Sequence, residues 1–247
     1  ASANSNHASW TTNLPDDRSF SACGWAYIGS TTQARILFTL EQVGGSIIYV
    51  QTTPTAPSTL ALTEDYSVIT GGPSITPGIP FFWAVVGDPS NVVTMYWRSA
   101  TETKLSSIGR AFLNNTTPNL MRLFNGQFND APWDGGVTAF KQWNIPLSAA
   151  QLYAESKYAA PQYWTGLQRW LPCLGGTPGE QARDYSGNSL NATIAGTLGV
   201  NVGLPLQLSW APDVQDDEYF GITNTGLTVV MAHIHADRVA ETTTGTG

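Results

Sequence analysis

Charge is what this sequence has least of. Asp, Glu, Lys and Arg make up 12% of its 247 residues, against roughly 25% in an average globular protein. The 11 Lys and Arg residues nowhere gather into a stripe. Nucleic-acid binding needs such a stripe to displace counterions from phosphates, so that function is set aside, and binding to an anionic membrane with it. No stretch approaches the roughly 18 uninterrupted apolar residues of a membrane span. Histidine is equally scarce: His7, His233 and His235 all lie near the ends, and no GxSxG elbow occurs, which argues against a Ser-His-Asp triad. Only two cysteines occur, Cys23 and Cys173, and no Cys or His spacing suits zinc. They read as a disulfide or as two buried thiols of a chain assembled in a reducing compartment, the second being the expectation. The chain opens at Ala1 without a signal-peptide pattern, as a cut product also would.

What remains is apolar and neutral polar. Hydrophobic residues are 42% of the chain, enough for a substantial core, and the formal net charge is −7. The polar surface must come from Ser, Thr, Asn, Gln and Gly, a surface common in extracellular adhesion modules and virion proteins. Residues 1–19 are polar, carry Asp16, Asp17 and Arg18, and read as an arm. Strand patterns follow at 20–28, 34–41 and 46–52, the last two joined by Gly44-Gly45 as a hairpin. A Pro-punctuated stretch holds short strands at 59–63 and 66–70. Residues 81–86 and 92–98 flank GDPSN, a hairpin in which Met95 and Trp97 take one face and Tyr96 and Arg98 the other. Further strands are expected at 119–124, 137–143, 164–174, 191–196 and 200–210, followed by an acidic linker from 212 and a last apolar run from 228.

One helix is expected. Ser148 is a natural N-cap for AAQLYAESKY, with Gln151 as the reciprocal partner of a capping box, and Pro161 should stop the helix near Ala160. Many short strands with Gly and Pro turns, and no strand–helix alternation, mean an all-β sandwich or barrel.

Several segments carry a family pattern in order. They are FSACGWAYI from residue 20, PFFWAVVGD from 80, VVTMYWR from 92, GGVTAFKQWNIPLSAAQL from 135, and GLQRWLPCLGG followed by DYSGNSLNATIAG. Together, over residues 20–210, they resemble the laminin-G-like, concanavalin-A-like lectin jelly-roll superfamily. The resemblance implies an antiparallel two-sheet jelly-roll with one short helix. It also implies glycan recognition as the first binding chemistry. The DYSGN strand pair comes first in many members but after the helix here, so it either opens a second unit or adds strands to the same sandwich. The run MAHIHADRVAETTTGTG from residue 231 is similar to a segment of tailed-phage structural proteins, which implies a virion origin.

Retaining glycosidases of this type need two carboxylates about 5–5.5 Å apart, supplied in the family by Glu-x-Asp-x-(x)-Glu on one strand face. Here Asp16-Asp17, Glu64-Asp65 and Asp216-Asp217-Glu218 are adjacent pairs, and adjacent strand residues face opposite ways. The expectation is therefore not an enzyme. The candidate ligand-binding residues are Asn125, Asn129, Asp130, Trp133 and Asp134, in the loop NGQFNDAPWDGG. Trp offers a face for a sugar, and amides and carboxylates meet its hydroxyls. Asp130 and Asp134 suit calcium as well. The same loop also reads as a structural one whose Trp plugs the sandwich edge. His233 and His235, with Asp237, would share a strand face and could hold a metal about a three-fold axis, though an exposed or interface strand is the expectation. Tryptophans 25, 83, 97, 143, 164, 170 and 210 fall in strand patterns and are expected in the core or an interface. Asn114, Asn115 and Asn191 sit in N-x-Ser/Thr sequons.

The expected protein is a non-catalytic virion or extracellular module for display, adhesion or decoration, with glycan recognition. Its partners would be other virion subunits or copies of itself, paired through the strand after 228. The alternatives are a carbohydrate-active enzyme of the jelly-roll type and a ligand-free decoration or assembly protein.

Overall fold

The computed structural model describes residues 6–12, 14–15, 18–30, 33–41, 48–53, 58–64, 67–69, 72–111, 119–125, 132–173 and 177–196. In chain order the elements are β1 (His7–Thr11), β2 (Phe20–Ile28), β3 (Arg35–Glu41), β4 (Ile48–Thr52), β5 (Leu60–Glu64), β6 (Ser67–Ile69), β7 (Phe81–Gly87), β8 (Val92–Ser99), β9 (Ser106–Ala111), β10 (Leu120–Leu123), β11 (Gly135–Trp143), α1 (Ala149–Glu155), β12 (Leu167–Leu171), α2 (Pro178–Gln181) and β13 (Thr193–Ala195). They form an all-β antiparallel two-sheet jelly-roll. One sheet runs β13-β1-β10-β3-β4-β5-β6, the other β12-β11-β2-β7-β8-β9. Among the described residues no helix is long and apolar enough to cross a membrane.

Alternation along the strands sends one set of side chains between the sheets. Phe38, Trp83 and Phe140 form the centre of that core, with ring centroids 5.3 to 6.5 Å apart, and Trp10 meets Phe140 edge-on at 5.1 Å. The middle inward positions of β2, Ala22, Gly24 and Ala26, stay small to admit these rings. A Cβ on Gly24 would lie 3.3 Å from the Thr138 carbonyl and 3.6 Å from the Trp83 indole nitrogen. Met95 and Trp97 point inward, while Tyr96 and Arg98 pack outward, as their alternation predicts.

A bulge in β11 sets the phase of its residues. Register with β2 shifts between Thr138 and Lys141, and Ala139 takes φ +52°. Val137 and Phe140 therefore both enter the core, while Ala139 and Trp143 face the outer side of the six-stranded sheet. Gly135 opens this strand because nothing larger fits: a Cβ there would lie 2.0 Å from the Tyr27 carbonyl.

Residues 144–163 cover that outer side. Ser148 caps α1 with the reciprocal Gln151 bond, as expected. The helix stops at Glu155, well short of Ala160, because the sheet takes its carbonyls. The Ser156 carbonyl accepts from Trp25 Nε1 and an Arg98 Nη, and the Glu155 and Tyr158 carbonyls accept from Lys141 Nζ. Lys141 and Glu155 form a buried ion pair at 2.7 Å. Glu155 also accepts the backbone N–H groups of Gln162 and Tyr163.

Three readings need correction, and one open alternative is decided. His7–Thr11, inside the segment read as an arm, is a strand between β10 and β13; Trp10 is in the core, and its Nε1 donates to Gln142 at 2.9 Å. Of the two alternatives for the DYSGN region, strands added to the same sandwich is the one observed. β12 pairs with β11 in one sheet and β13 pairs with β1 in the other, so this segment bridges both edges of one sandwich. β9 occupies a stretch given no element from sequence. Trp164 is not core: it lies in the turn before β12 and is 57% exposed. The strand pattern at 200–210, the linker, and the run from 228 with His233, His235 and Asp237 lie outside the described residues.

Candidate functional site

At one end of the sandwich a cleft of about 370 Å³ opens between the edges of the two sheets, lined among others by Asn6, Arg35, Trp133, Asp134, Gln181 and Ile194. Its volume is that of a small-ligand site. β1 and β13 supply one wall, the start of β11 and the end of β12 the other, through Leu171 and Cys173. The polar groups come from four separate parts of the chain. Arg35 at the start of β3 is held by a bond from an Nη to the Pro132 carbonyl at 3.2 Å and by its own N–H to Thr52 Oγ1. Gln181 ends α2, a four-residue helix with Pro178 at its start and a Thr177–Glu180 capping box. Asp134 is exposed, and its carbonyl accepts the Gly29 N–H, which ties the loop to the end of β2.

The five loop residues named from sequence separate. Trp133 lines the cleft but is 7% exposed; its Nε1 donates to the Tyr27 carbonyl at 2.9 Å and its ring meets Phe81 edge-on. It plugs the edge of the sandwich and offers no open stacking face. Asn125 is fully buried after β10, away from the cleft lining. Asp134 alone reaches the cleft as an exposed polar group. Asn129 and Asp130 lie outside the described residues, so the calcium expectation rests on Asp134 without its proposed partner. Among the described residues no group of three or more His, Cys, Asp or Glu side chains could hold a metal. Arg35, Asn6 and Gln181 were missed; only the α2 capping box left a local signal.

Among the described residues, the three buried glutamates lie on different faces of the sandwich. Glu41 lies on the outer face of the seven-stranded sheet, with Oε1 accepting from Thr39 at 2.9 Å and Oε2 3.2 Å from Arg122. Glu64 follows Leu60 and Leu62 on the inner face. Glu155 is engaged by Lys141. Burial raises the Glu41 carboxyl above its usual 4.5, against the opposing pull of Arg122 and of the Thr39 bond. Its ionised form is therefore disfavoured by folding. Stability falls as pH rises from about 4.5, where the unfolded chain ionises first, until Glu41 ionises in the fold as well. Thermal melts across this interval should show that fall in the wild type and a flatter profile in Glu41→Gln; identical profiles would deny the linkage.

Both cysteines are free and buried, Cys23 in the outer layer and Cys173 beside the cleft. Burial pushes the Cys23 thiol up and that of Cys173 to about 12, so neither is a ready nucleophile.

No protein-family model matches the sequence, and no curated protein matches it. Solved structures share the fold. The enzymatically active domain of tailspike protein 2 of bacteriophage CBA120 superposes with a TM-score of 0.52 at 12% identity, covering 66% of this chain and 28% of that one. A Bacteroides ovatus protein assigned as a candidate carbohydrate binder also gives 0.52 at 12% identity, over 78% of this chain and 58% of that one. The chain thus spans less than two thirds of either.

Proposed function

We propose that this chain is a non-catalytic virion or extracellular module that recognises a glycan in the cleft beside Trp133. The observation that carries the reading is the convergence of Arg35, Asn6, Asp134 and Gln181 around apolar walls in a cleft of ligand size. Planar amides, a guanidinium and a carboxylate are the groups that pair with sugar hydroxyls. The likeness in fold to a phage tailspike domain and to a Bacteroides candidate carbohydrate binder supports the same setting, a phage tail or a carbohydrate-binding module. Copies of the same chain or other virion subunits are the expected protein partners.

A glycan array probed with the full chain tests this. Binding to a discrete set of glycans is expected, weakened at least tenfold by Asp134→Ala and by Gln181→Ala, with the bound glycans recovered uncut. Array silence together with tight binding to a capsid or tail would replace the reading with ligand-free decoration. Cleavage of a bound glycan would replace it with catalysis.

A further inference from the structure

A second surface of this molecule presents a row of aromatic rings with one indole open to solvent. Trp164 meets Trp170 edge-on, with centroids 6.4 Å apart and planes at 90°, and Trp170 meets Tyr185 at 6.1 Å. Trp170 pairs with Lys141 and so faces the outer side of the six-stranded sheet, while its neighbour Leu171 faces the core and the cleft. This row of rings and the cleft therefore lie on opposite sides of β12.

An indole left 57% exposed forgoes burial that folding otherwise rewards. Here it is also held in place. The Leu167 N–H bonds the Trp164 carbonyl at 3.1 Å. Gly166 takes φ +74°, where a Cβ would lie 2.9 Å from Asn144 Oδ1. The Tyr185 N–H bonds the Trp170 carbonyl at 2.8 Å, fixing the far end of the row. A ring on a backbone fixed in this way, with an edge-on neighbour, binds with a smaller ordering cost.

Among the described residues of the 183–188 turn, the side chains of Arg183, Asp184 and Asn188 are neutral or already engaged. Asn188 is exposed and donates through Nδ2 to the carbonyls of Leu167 and Gln168, which turns its Oδ1 into an available acceptor. Both Asp184 oxygens are taken by the turn beneath, and Arg183 sits over the Tyr185 ring at 5.3 Å. An exposed ring face and the amide of the neighbouring turn match a sugar's C–H face and its hydroxyl rim.

We propose that Trp164, with Trp170 and Asn188, is a second carbohydrate contact that takes a neutral hexopyranose ring of a polysaccharide. It rests on the glycan reading for the class of ligand only, since the surface is a different one. The test is a titration of the full chain with three soluble neutral polymers (dextran, mixed-linkage β-glucan and galactomannan), read by calorimetry and tryptophan fluorescence. At least one polymer should bind and shift the emission to the blue. Trp164→Ala should cut affinity tenfold or more and remove that shift, and Trp164→Phe should restore part of the affinity. Loss in Trp164→Ala supports the proposal whatever Asp134→Ala does. Loss in Asp134→Ala with full binding by Trp164→Ala leaves the cleft and overturns this site. No binding of any of the three polymers overturns it too, while the array can still uphold the cleft. A change in oligomeric state in Trp164→Ala without a change in polymer binding makes Trp164 a subunit contact and also overturns it.

Discussion

Lys141→Met is expected to destabilise the fold by about 3–5 kcal/mol, the cost of stranding one charge of a buried pair. Lys141 Nζ makes three bonds at 2.7 to 3.1 Å, to Glu155 Oε2 and to the carbonyls of Glu155 and Tyr158. Both side chains are sealed from water. Removing the ammonium leaves a carboxylate in the layer of Cys23, Trp25 and Trp143 with only two backbone N–H donors. The second substitution separates charge from shape. In Lys141→Met/Glu155→Gln the amide oxygen still accepts from Gln162 and Tyr163, and no charge is buried. The double variant should thus be more stable than Lys141→Met alone, with a coupling of at least 1 kcal/mol in a double-mutant cycle by urea unfolding. Additive losses would mean that the pair is not a unit.

That pair also marks where sequence reasoning runs out. A lysine amid a strand and a glutamate at a helix end both look like solvated charges, and only the covering of the sheet by residues 144–163 buries them together. What was legible was local. Ser148 and Gln151 lie one turn apart, so their capping box is written in adjacent residues. The GDPSN hairpin works through Asp88, whose Oδ1 accepts from Ser90 and Val92, again neighbours. What was hidden was nonlocal or weakly patterned. β1 is five residues long, and both of its partners lie more than a hundred residues away. β9, SSIGRA, sits at a sheet edge with one large apolar residue and shows little alternation to detect. The site divided in the same manner. The loop of Asp134 was visible as a cluster of polar and aromatic residues, but Arg35 and Gln181 join it only through the meeting of two sheet edges. Trp133 and Trp164 have the same chemistry in sequence. The fold buries the first against Phe81 and leaves the second in water.

The segment that joins the two edges depends on one carboxylate, and Asp184→Ala is expected to cost about 3–4 kcal/mol. Asp184 Oδ1 accepts from the N–H groups of Trp170 and Ser186, and Oδ2 from the Leu190 N–H and the Ser186 hydroxyl, all within 2.8 to 3.0 Å. Its own N–H donates to Asn191. The charge also supports Arg169, whose pKa falls to about 10 through burial even with Asp184 opposing the fall. Arg169 in turn holds Gln142 and the Leu190 carbonyl and lies over Trp10. One side chain therefore locks β12, the turn and the approach to β13. Asp184→Asn should be nearly as harmful, because its amide nitrogen would face two donors where the second oxygen accepted. Urea unfolding of the three proteins should give both variants a much lower midpoint with an unchanged slope. The loss should extend to binding, because Gln181 of the cleft and Tyr185 of the aromatic row flank the same turn. A fall in midpoint confined to Asp184→Ala, with Asp184→Asn near wild type, would mean that shape and not the pair of acceptors holds the turn.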